Sequence, residues 1–418
     1  MSENSVREIA KLPFISKFKR PEVARELFLR LLRNIKIGTL TIYDGDQVLH
    51  FGDDSRPESP HADVTIHNHR TYRRVLTGGT IASGEAFIDG DWSSQNLTEV
   101  TRLFSANMET MENMHANSHW WMKLALKFAH FANRNTMSGS KKNISAHYDL
   151  GNEFFQLFLD PIMMYSSAVF PTPDADLAVA AEHKLALICQ QLELKESDHL
   201  IEIGTGWGGM AVYAAQHYGC RVTTTTISKE QYEYAREAVA RAGLEDRVTL
   251  LCDDYRDLTG QFDKLVSIEM IEAVGHEYYE SYFRTCSQLL KSSGKMVIQA
   301  ITIPDQRYDH ARQSVDFIKR YIFPGGCLPS IGVITENLAR HTDLHIVGLN
   351  DITQDYARTL EAWHHVFLEQ LDKVMDMGFE ERFIRMWRFY LSYCEGGFRE
   401  RIIGTFQISM AKPGYRPS

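Results

Sequence analysis

The chain has 418 residues, of which 44% are hydrophobic and 24% charged, as in globular enzymes, and this length predicts two domains. Its formal net charge of −9 at pH 7 argues against nucleic acid as a partner. No apolar run reaches the roughly 20 residues of a membrane span, and the opening MSENSVREIAKLPF lacks the apolar core of a signal peptide.

Residues 1–112 are predicted to form a small α+β domain. A helix is expected over residues 20–32, and GTLTIYDGDQVLHFG predicts two strands around the Asp44–Gly45 turn. VTIHNHRTYRRVL continues this pattern to a turn at Gly78–Gly79, and a helix is expected from Leu97 onward. No catalytic cluster is visible in this part of the chain.

Residues 113–145 are predicted to form a basic amphipathic linker helix. From Asn113 to Tyr148 there is no Asp or Glu, whereas lysine or arginine stands at positions 123, 127, 134, 141 and 142. Within HWWMKLALKFAHFANR, Trp120 and Leu124 share a face with Phe128 and Phe131. Such a helix is typical of an element at a membrane surface. A helix that docks two domains, with its lysines in water, fits the pattern equally well.

Residues 146–418 are predicted to form an α/β domain of the doubly wound, Rossmann-like type. Apolar strands alternate with helices from residue 199 onward: HLIEI, CRVTTTTI, RVTLLC, DKLVSIE and GKMVIQAITI are the strands. Connections of this length predict a parallel sheet with helices on both faces. Beyond residue 304 we expect an insertion, long helices over about 356–376 and 380–395, and a closing strand in RIIGTFQISMAK.

The loop after the first of these strands is the strongest chemical signal. It contains Gly204, Gly206 and Gly208, and Glu202 stands two positions before the first glycine. A glycine turn between a strand and a helix lets a ligand approach the backbone. The GxGxG spacing and the acid, which suits a cationic ligand, favour S-adenosylmethionine over a dinucleotide. Another nucleotide, or glycines with only a structural purpose, are the alternatives.

Two later segments predict the rim of the same pocket. Thr226 and Gln231 follow the second strand, where ribose hydroxyls need polar partners. Asp254, Tyr255 and Arg256 follow the third, where an aromatic ring can stack on adenine and a carboxylate can accept from its amino group. Because they lie on successive strand ends, a binding rim explains them better than ordinary surface loops do.

Seven segments together resemble one protein family across nearly the whole chain. They are GEAFIDGDW (84–92), HYDLGNEFFQLFLDPIMMYSS (147–167), IEIGTGWGG (201–209), TISKEQ (226–231), EMIEAVGHEYYESYF (269–283), FIKRYIFPGGCLPS (317–330) and SYCEGGFRER (392–401). The chain resembles the cyclopropane-fatty-acyl-phospholipid synthases, whose cofactor is S-adenosylmethionine. By the resemblance, Tyr165 and Ser166 belong to the cofactor rim, and the domain of residues 1–112 is associated with lipid.

The resemblance implies transfer of the sulfonium methyl group to a cis double bond of an acyl chain within a phospholipid. This leaves a carbocation, and a base removes a proton from the new methyl group as the ring closes. The family uses bound bicarbonate as that base. By the resemblance, Glu272 anchors the bicarbonate, Tyr356 is its phenol partner and a backbone amide near Ser167 completes the cradle.

Aromatic rings and one cysteine complete the expected site. Ring faces stabilise a carbocation in a dry cavity, and the rings near the motifs are Tyr148, Phe154, Phe155, Tyr165, Phe170 and Tyr321. Most of these are expected to be core residues. Cys394 matches a cysteine that the family has been assigned as an active-site residue. Transfer from a sulfonium needs no enzyme nucleophile, and a cysteine between apolar helix residues is usually inert.

Two positions depart from the best-known bacterial members. Ser167 stands where the family has a cysteine, and Gln299 stands where it has a histidine. Glutamine can hydrogen-bond bicarbonate but cannot shuttle a proton. The plant-type branch resembles this chain in both residues, so glutamine is compatible with ring closure. It also leaves room for a methyl-branched or methylene product.

Three further hypotheses stay open beside a cyclopropane synthase: a lipid carbon methyltransferase, a small-molecule N-methyltransferase and a non-catalytic lipid- or cofactor-binding protein. The N-terminal domain opposes the second, and the intact glycine loop opposes the third. The expected partner is unsaturated phospholipid, reached from the cytoplasm at the inner face of the membrane. The six cysteines lack metal-ligand spacing, which favours reduced thiols. Oligomeric state is open, with a homodimer as one option.

Overall fold

The computed structural model describes residues 21–108, except residue 55, and residues 150–417. The chain divides into two compact units. Within the described residues, the first unit holds residues 21–108 and 372–400, and the second holds residues 150–371 and 401–417. The predicted linker helix and Tyr148 lie outside the described residues.

The described residues form the following elements in chain order. The helices are α1 (Pro21–Leu32), α2 (Arg70–Ile88), α3 (Leu97–Ala106), α4 (Asn152–Gln156), α5 (Leu177–Leu192), α6 (Gly209–Tyr218), α7 (Lys229–Arg241), α8 (Tyr279–Leu289), α9 (Asp305–Gln313), α10 (Phe317–Tyr321), α11 (Ile331–His341), α12 (Thr353–Glu369), α13 (Leu371–Asp376) and α14 (Glu381–Arg399). The strands are β1 (Thr39–Asp44), β2 (Gln47–Phe51), β3 (His61–Ile66), β4 (Trp92–Ser93), β5 (His199–Ile203), β6 (Arg221–Thr225), β7 (Val248–Leu251), β8 (Phe262–Ile268), β9 (Leu290–Thr302), β10 (His345–Asp351) and β11 (Gly404–Ala411). Short 3₁₀ turns cover Tyr255–Asp257, Ile271–Ala273 and His276–Tyr278.

The first unit contains a four-stranded sheet in the order β2-β1-β3-β4. The hairpin expected at Gly45 is present, because Asp44 pairs with Gln47 across a two-residue turn in which Gly45 has a φ of 59°. The strand pattern expected after β3 is wrong, since residues 70–88 form α2. Gly79 does not make a hairpin turn but kinks this helix, with φ 56° and ψ −139°.

Helix α14 belongs to the first unit, although residues 146–418 were predicted to form a single domain. The chain therefore returns to the first unit after residue 371. Thr98 Oγ1 donates to Glu395 Oε2 at 2.8 Å, and Arg102 Nε donates to Glu400 Oε1 at 2.7 Å. A Cβ on Gly396 would lie 2.4 Å from Thr101 Oγ1. The glycines of SYCEGGFRER therefore allow α14 to approach α3 closely.

The second unit is built on a seven-stranded sheet in the order β10-β11-β9-β8-β5-β6-β7. The five strands β5 to β9 run parallel. In contrast, β11 pairs antiparallel with β9, and β10 pairs antiparallel with β11. This confirms the predicted doubly wound α/β class. The sequence analysis missed β10, an edge strand in which Val347 and Leu349 are about half exposed and the burial pattern of a strand is absent.

The core of this sheet consists of two apolar layers that follow the alternation of strand side chains. Ile201 and Ile203 pack in one layer with Leu265 and Ile298, and Leu200 packs in the other with α5 and α6. Both layers fix the strands, so the loops at the carboxyl ends of β5, β6, β7 and β8 meet at one edge of the sheet.

Candidate active site

The glycine loop lies between β5 and α6 at this edge. Gly204, Gly206 and Gly208 all have left-handed backbones, with φ of 99°, 53° and 93°. The amides of Gly204 and Thr205 both donate to the carbonyl oxygen of Thr225, which ties the loop to the end of β6. Because residues with a Cβ rarely adopt these conformations, the loop shape depends on glycine. The result is a turn of backbone in front of a helix N-terminus, half-buried at Gly204 and Gly206, which is the arrangement that a nucleotide site requires.

Glu202 does not extend into open space in front of this loop. It is buried, and its Oε2 accepts a hydrogen bond from Thr224 Oγ1 at 2.6 Å. Burial raises the pKa of Glu202 to about 8. A cationic ligand beside it would favour the charged carboxylate. The predicted contact with the cofactor stays a prediction.

The predicted rim residues occupy successive strand ends and bond to one another. Thr226 Oγ1 donates to Gln231 Oε1 at 3.0 Å at the start of α7. Beyond β7, Arg256 donates through Nε and Nη2 to the two oxygens of Asp254, at 2.8 and 2.6 Å. Tyr255 contacts Tyr282 edge to face, with ring centroids 5.6 Å apart. Asp254 is thus held by Arg256, a pairing that the sequence analysis did not anticipate.

A buried lysine that the sequence analysis missed lies beneath Tyr165 and Ser166. Lys184 on α5 is 0% exposed, and its Nζ donates to Ser166 Oγ at 2.8 Å. Burial lowers the pKa of Lys184 to about 8, against the opposing effect of the nearby carboxylates Glu269, Asp160 and Glu202. Its place on an apolar helix face, AVAAEHKLALICQQL, gave no indication of a site.

The carboxylate of Glu269, directly after the end of β8, is the centre of a second group of polar contacts. Glu269 Oε1 accepts from the backbone amide of Ser167 at 2.9 Å and from Gln299 Nε2 at 2.8 Å. Its Oε2 accepts from the hydroxyl of Tyr356 at 2.8 Å. Three of the expected site residues therefore converge on one carboxylate. The sequence analysis did not single out Glu269.

The backbone and the surroundings of Glu269 are both unusual. Its φ is 49°, in the left-handed region that favours glycine, and its amide donates to the carbonyl oxygen of Gln299 at 2.7 Å. Desolvation raises the pKa of Glu269, while the hydrogen bonds from Gln299, Ser167 and Tyr356 lower it. A non-glycine residue in this conformation is typical of positions where function maintains strain.

A chain of buried amides orients Gln299. Gln407 Nε2 donates to Gln299 Oε1 at 3.0 Å, and Gln191 Nε2 donates to Gln407 Oε1 at 2.6 Å. Since the Gln299 oxygen is occupied as an acceptor, its amide nitrogen faces Glu269 and the carbonyl of Ser167. Gln299 thus acts as a fixed donor, in agreement with the expectation that it does not shuttle protons.

Glu272 lies one turn further along the chain and does not meet Tyr356, Ser167 or Gln299. Its Oε1 accepts from the backbone amide of Ile301 at 2.5 Å, and its Oε2 is buried with no hydrogen-bond partner among the described residues. Desolvation, followed by the charge of Glu269, raises the pKa of Glu272 to about 8. Tyr356 and the Ser167 amide, which were expected to share a bicarbonate ion with Glu272, contact Glu269 instead, and the anchoring role of Glu272 stays a prediction.

The expected aromatic residues separate into three places. Phe155 contacts Tyr165 with ring centroids 5.1 Å apart, and Tyr165 stacks on Trp363 at 5.2 Å. The rings that extend this aromatic cluster are Phe154, Phe158, Trp207, Tyr356 and Phe367. Phe170 instead lies under the guanidinium of Arg358 at 3.8 Å, and Tyr321 packs on Phe317 at 5.0 Å. The sequence analysis did not expect Trp207 or Trp363 in this cluster. Trp207 lies within the segment IEIGTGWGG, and Trp363 lies outside the seven segments.

Cys394 lies on α14 in the first unit, whereas the glycine loop and Glu269 belong to the second. Its exposure is intermediate. The neighbouring Glu395 and Gly396 contact α3, which gives the motif around Cys394 a packing explanation. Among the helices of the described residues, none is long and apolar enough to cross a membrane.

Comparison with known proteins agrees with this architecture. The family model described as mycolic acid cyclopropane synthetase matches residues 135–408. The chain is 38% identical to the tuberculostearic acid methyltransferase UfaA1 of Mycobacterium tuberculosis over 349 residues, which cover 82% of this chain and 81% of the relative. It is 37% identical to the cyclopropane-fatty-acyl-phospholipid synthase of Escherichia coli over 358 residues, which cover 84% and 88%.

A solved structure extends the agreement to the fold. The mycolic acid cyclopropane synthase CmaA1, complexed with SAH and CTAB, superposes with a TM-score of 0.61 at 30% sequence identity, covering 65% of this chain and 98% of that one. The glycine loop, the strand order and these matches lead to the same conclusion. The chain belongs to the mycolic acid cyclopropane synthetase family and is an S-adenosylmethionine-dependent methyltransferase.

Proposed function

We propose that this enzyme transfers the methyl carbon of S-adenosylmethionine to a cis double bond of an unsaturated acyl chain in a membrane phospholipid, and that it closes a cyclopropane ring. The observation that carries the proposal is a carboxylate, Glu269, held by three donors beside an aromatic cluster. Tyr356 links the two, because its hydroxyl donates to Glu269 and its ring contacts Trp363 edge to face at 6.3 Å.

This combination suits an apolar substrate that becomes cationic during the reaction. S-adenosylmethionine supplies an electrophilic methyl group on a sulfonium. The ring of Tyr165 is half-buried and is backed by the buried rings of Trp363 and Phe155, so it offers an apolar contact for an acyl chain and a ring for a developing positive charge. An alcohol or amine acceptor would need neither the ring faces nor a base placed for a carbon acid.

The relatives support a lipid acceptor. One is named a cyclopropane-fatty-acyl-phospholipid synthase, and another, from Gibberella zeae, is named a sphingolipid C9-methyltransferase. Lipid analysis after expression in a host that lacks cyclopropane acids tests the proposal. We expect acyl chains heavier by one methylene, with cyclopropane proton resonances at very high field. Expression without any methylated acyl chain would refute a lipid acceptor.

A second candidate product is a methyl-branched or methylene acyl chain. Gln299 favours it, since this side chain cannot accept the proton that a histidine could, and a relative at 38% identity is named a tuberculostearic acid methyltransferase. A ring and a methyl-branched olefin have equal mass, so mass spectrometry does not distinguish them. Hydrogenation followed by mass analysis, together with NMR, does.

We also propose that the enzyme works at the inner surface of the membrane, where phospholipid is available. The basic sequence from Asn113 to Tyr148 supports this, because lysine and tryptophan in a predicted amphipathic helix suit an anionic interface. Sedimentation with liposomes should increase with their anionic lipid content and weaken in high salt. Equal binding to neutral liposomes would oppose the electrostatic part of the proposal.

A further inference from the structure

The donors expected to hold a bicarbonate ion already hold the carboxylate of Glu269. Bicarbonate offers a planar O–C–O group, and so does a glutamate side chain. The Ser167 amide and Gln299 bind one oxygen of Glu269, and Tyr356 binds the other. A second anion would have to displace this side chain and its hydrogen bonds, so these residues do not fit bicarbonate as a separate ligand.

We propose that the carboxylate of Glu269 is itself the base of the reaction and that this enzyme needs no bicarbonate. The inference rests on the proposed transfer to an acyl double bond. In the first step, the π electrons of the double bond form a C–C bond to the methyl carbon while its C–S bond breaks, which leaves a cation on the chain. In the second, Glu269 takes a proton from the new methyl group, and the released electron pair closes the ring.

Polar groups around Glu269 stabilise the charged form that can accept this proton, against the desolvation that raises its pKa. Three hydrogen bonds stabilise the carboxylate, and the ammonium group of Lys184 adds an attractive charge. Glu272 opposes it with a like charge when ionised, but the pKa of Glu272 is about 8, so Glu272 is mostly neutral at pH 7. The proton that Glu269 accepts returns to water before the next turnover.

The backbone gives an independent indication. Glu269 follows β8 with a φ of 49°, although a glycine would adopt this conformation with less strain. A strained glutamate aimed at three donors is explained if its carboxylate is required there. The same feature makes Glu269→Gly a suitable variant, because the substitution removes the carboxylate and suits the backbone.

The test compares purified enzymes in carbon dioxide-free buffer with and without added bicarbonate, using transfer of labelled methyl from S-adenosylmethionine to unsaturated liposomes. We expect the wild-type rate to change less than twofold. Glu269→Gly should lose at least about 100-fold in kcat, the usual contribution of a positioned base. Added bicarbonate should restore part of it, because the three vacated donors can then hold that anion.

Two controls separate chemistry from folding. Glu269→Gly should bind S-adenosylhomocysteine with wild-type affinity, and Glu245→Gln, at an exposed turn, should leave kcat unchanged. A wild-type rate that falls when bicarbonate is removed would overturn the inference, as would full activity of Glu269→Gly without bicarbonate. If the wild-type enzyme methylates no acyl chain at either bicarbonate level, the proposed function fails, and the inference fails with it.

Discussion

Replacing Tyr356 with phenylalanine should move the acid limb of the pH–rate profile to higher pH. The hydroxyl of Tyr356 donates to Glu269 Oε2 at 2.8 Å and so stabilises the ionised carboxylate. A hydrogen bond to a charged group contributes about 1.5–3 kcal/mol, and about 1.4 kcal/mol corresponds to one pKa unit. Without this bond the pKa of Glu269 rises, and the limb should move upward by about one to two pH units.

The assay is kcat for methyl transfer to liposomes between pH 5 and pH 9. The variant should be slower than wild type on the acid side and approach it as the pH rises, because Glu269 then ionises despite the lost bond. Tyr72→Phe is a matched control, since this buried phenol donates to Asp44 at 2.7 Å in the first unit. An acid limb that stays in place while kcat falls equally at every pH would refute the reasoning.

Two further predictions concern the neighbouring carboxylate and the cofactor loop. Because the pKa of Glu272 is raised from 4.5 to about 8, its folded-state proton adds stability that is complete below pH 4.5 and lost as the pH rises through 8. Relative to wild type, Glu272→Gln should therefore gain about 4 kcal/mol between pH 5 and pH 9, or roughly 8–16 °C in melting temperature; a constant difference would contradict this. Gly208→Ala should weaken S-adenosylhomocysteine binding about tenfold in calorimetric titration, since φ is 93° and the new Cβ would lie 3.1 Å from that of Ala235. Gly243→Ala is its control, with a φ of 66° and open space around the Cβ; equal affinity in both variants would exclude a special role of the loop.

The sequence predicted those parts of the molecule that depend on local patterns. The alternation of apolar strands and helices was sufficient to predict the parallel sheet. The boundaries of its elements are also local, because Ser228 caps α7 and the glycines determine the loop after β5. The edge strand β10 and the long helix α2 were missed or misjudged. The exposure of β10 obscures the periodicity of a strand, and Gly79 in the middle of α2 obscures the periodicity of a helix.

Long-range packing decided which residues form the proposed base site. Glu269 and Glu272 stand three positions apart in EMIEAVG, and nothing local distinguishes the one that meets Tyr356, 87 positions away. The register of β8 with β9, in which Ile268 pairs with Gln299, and the left-handed turn that follows bring Glu269 to the three donors. The buried position of Lys184 and the return of α14 to the first unit are likewise tertiary facts. The sequence alone determined the methyl donor, because its loop is a local structure. Only the fold identified the carboxylate at the base site, because that site is assembled from four segments that are distant in the chain.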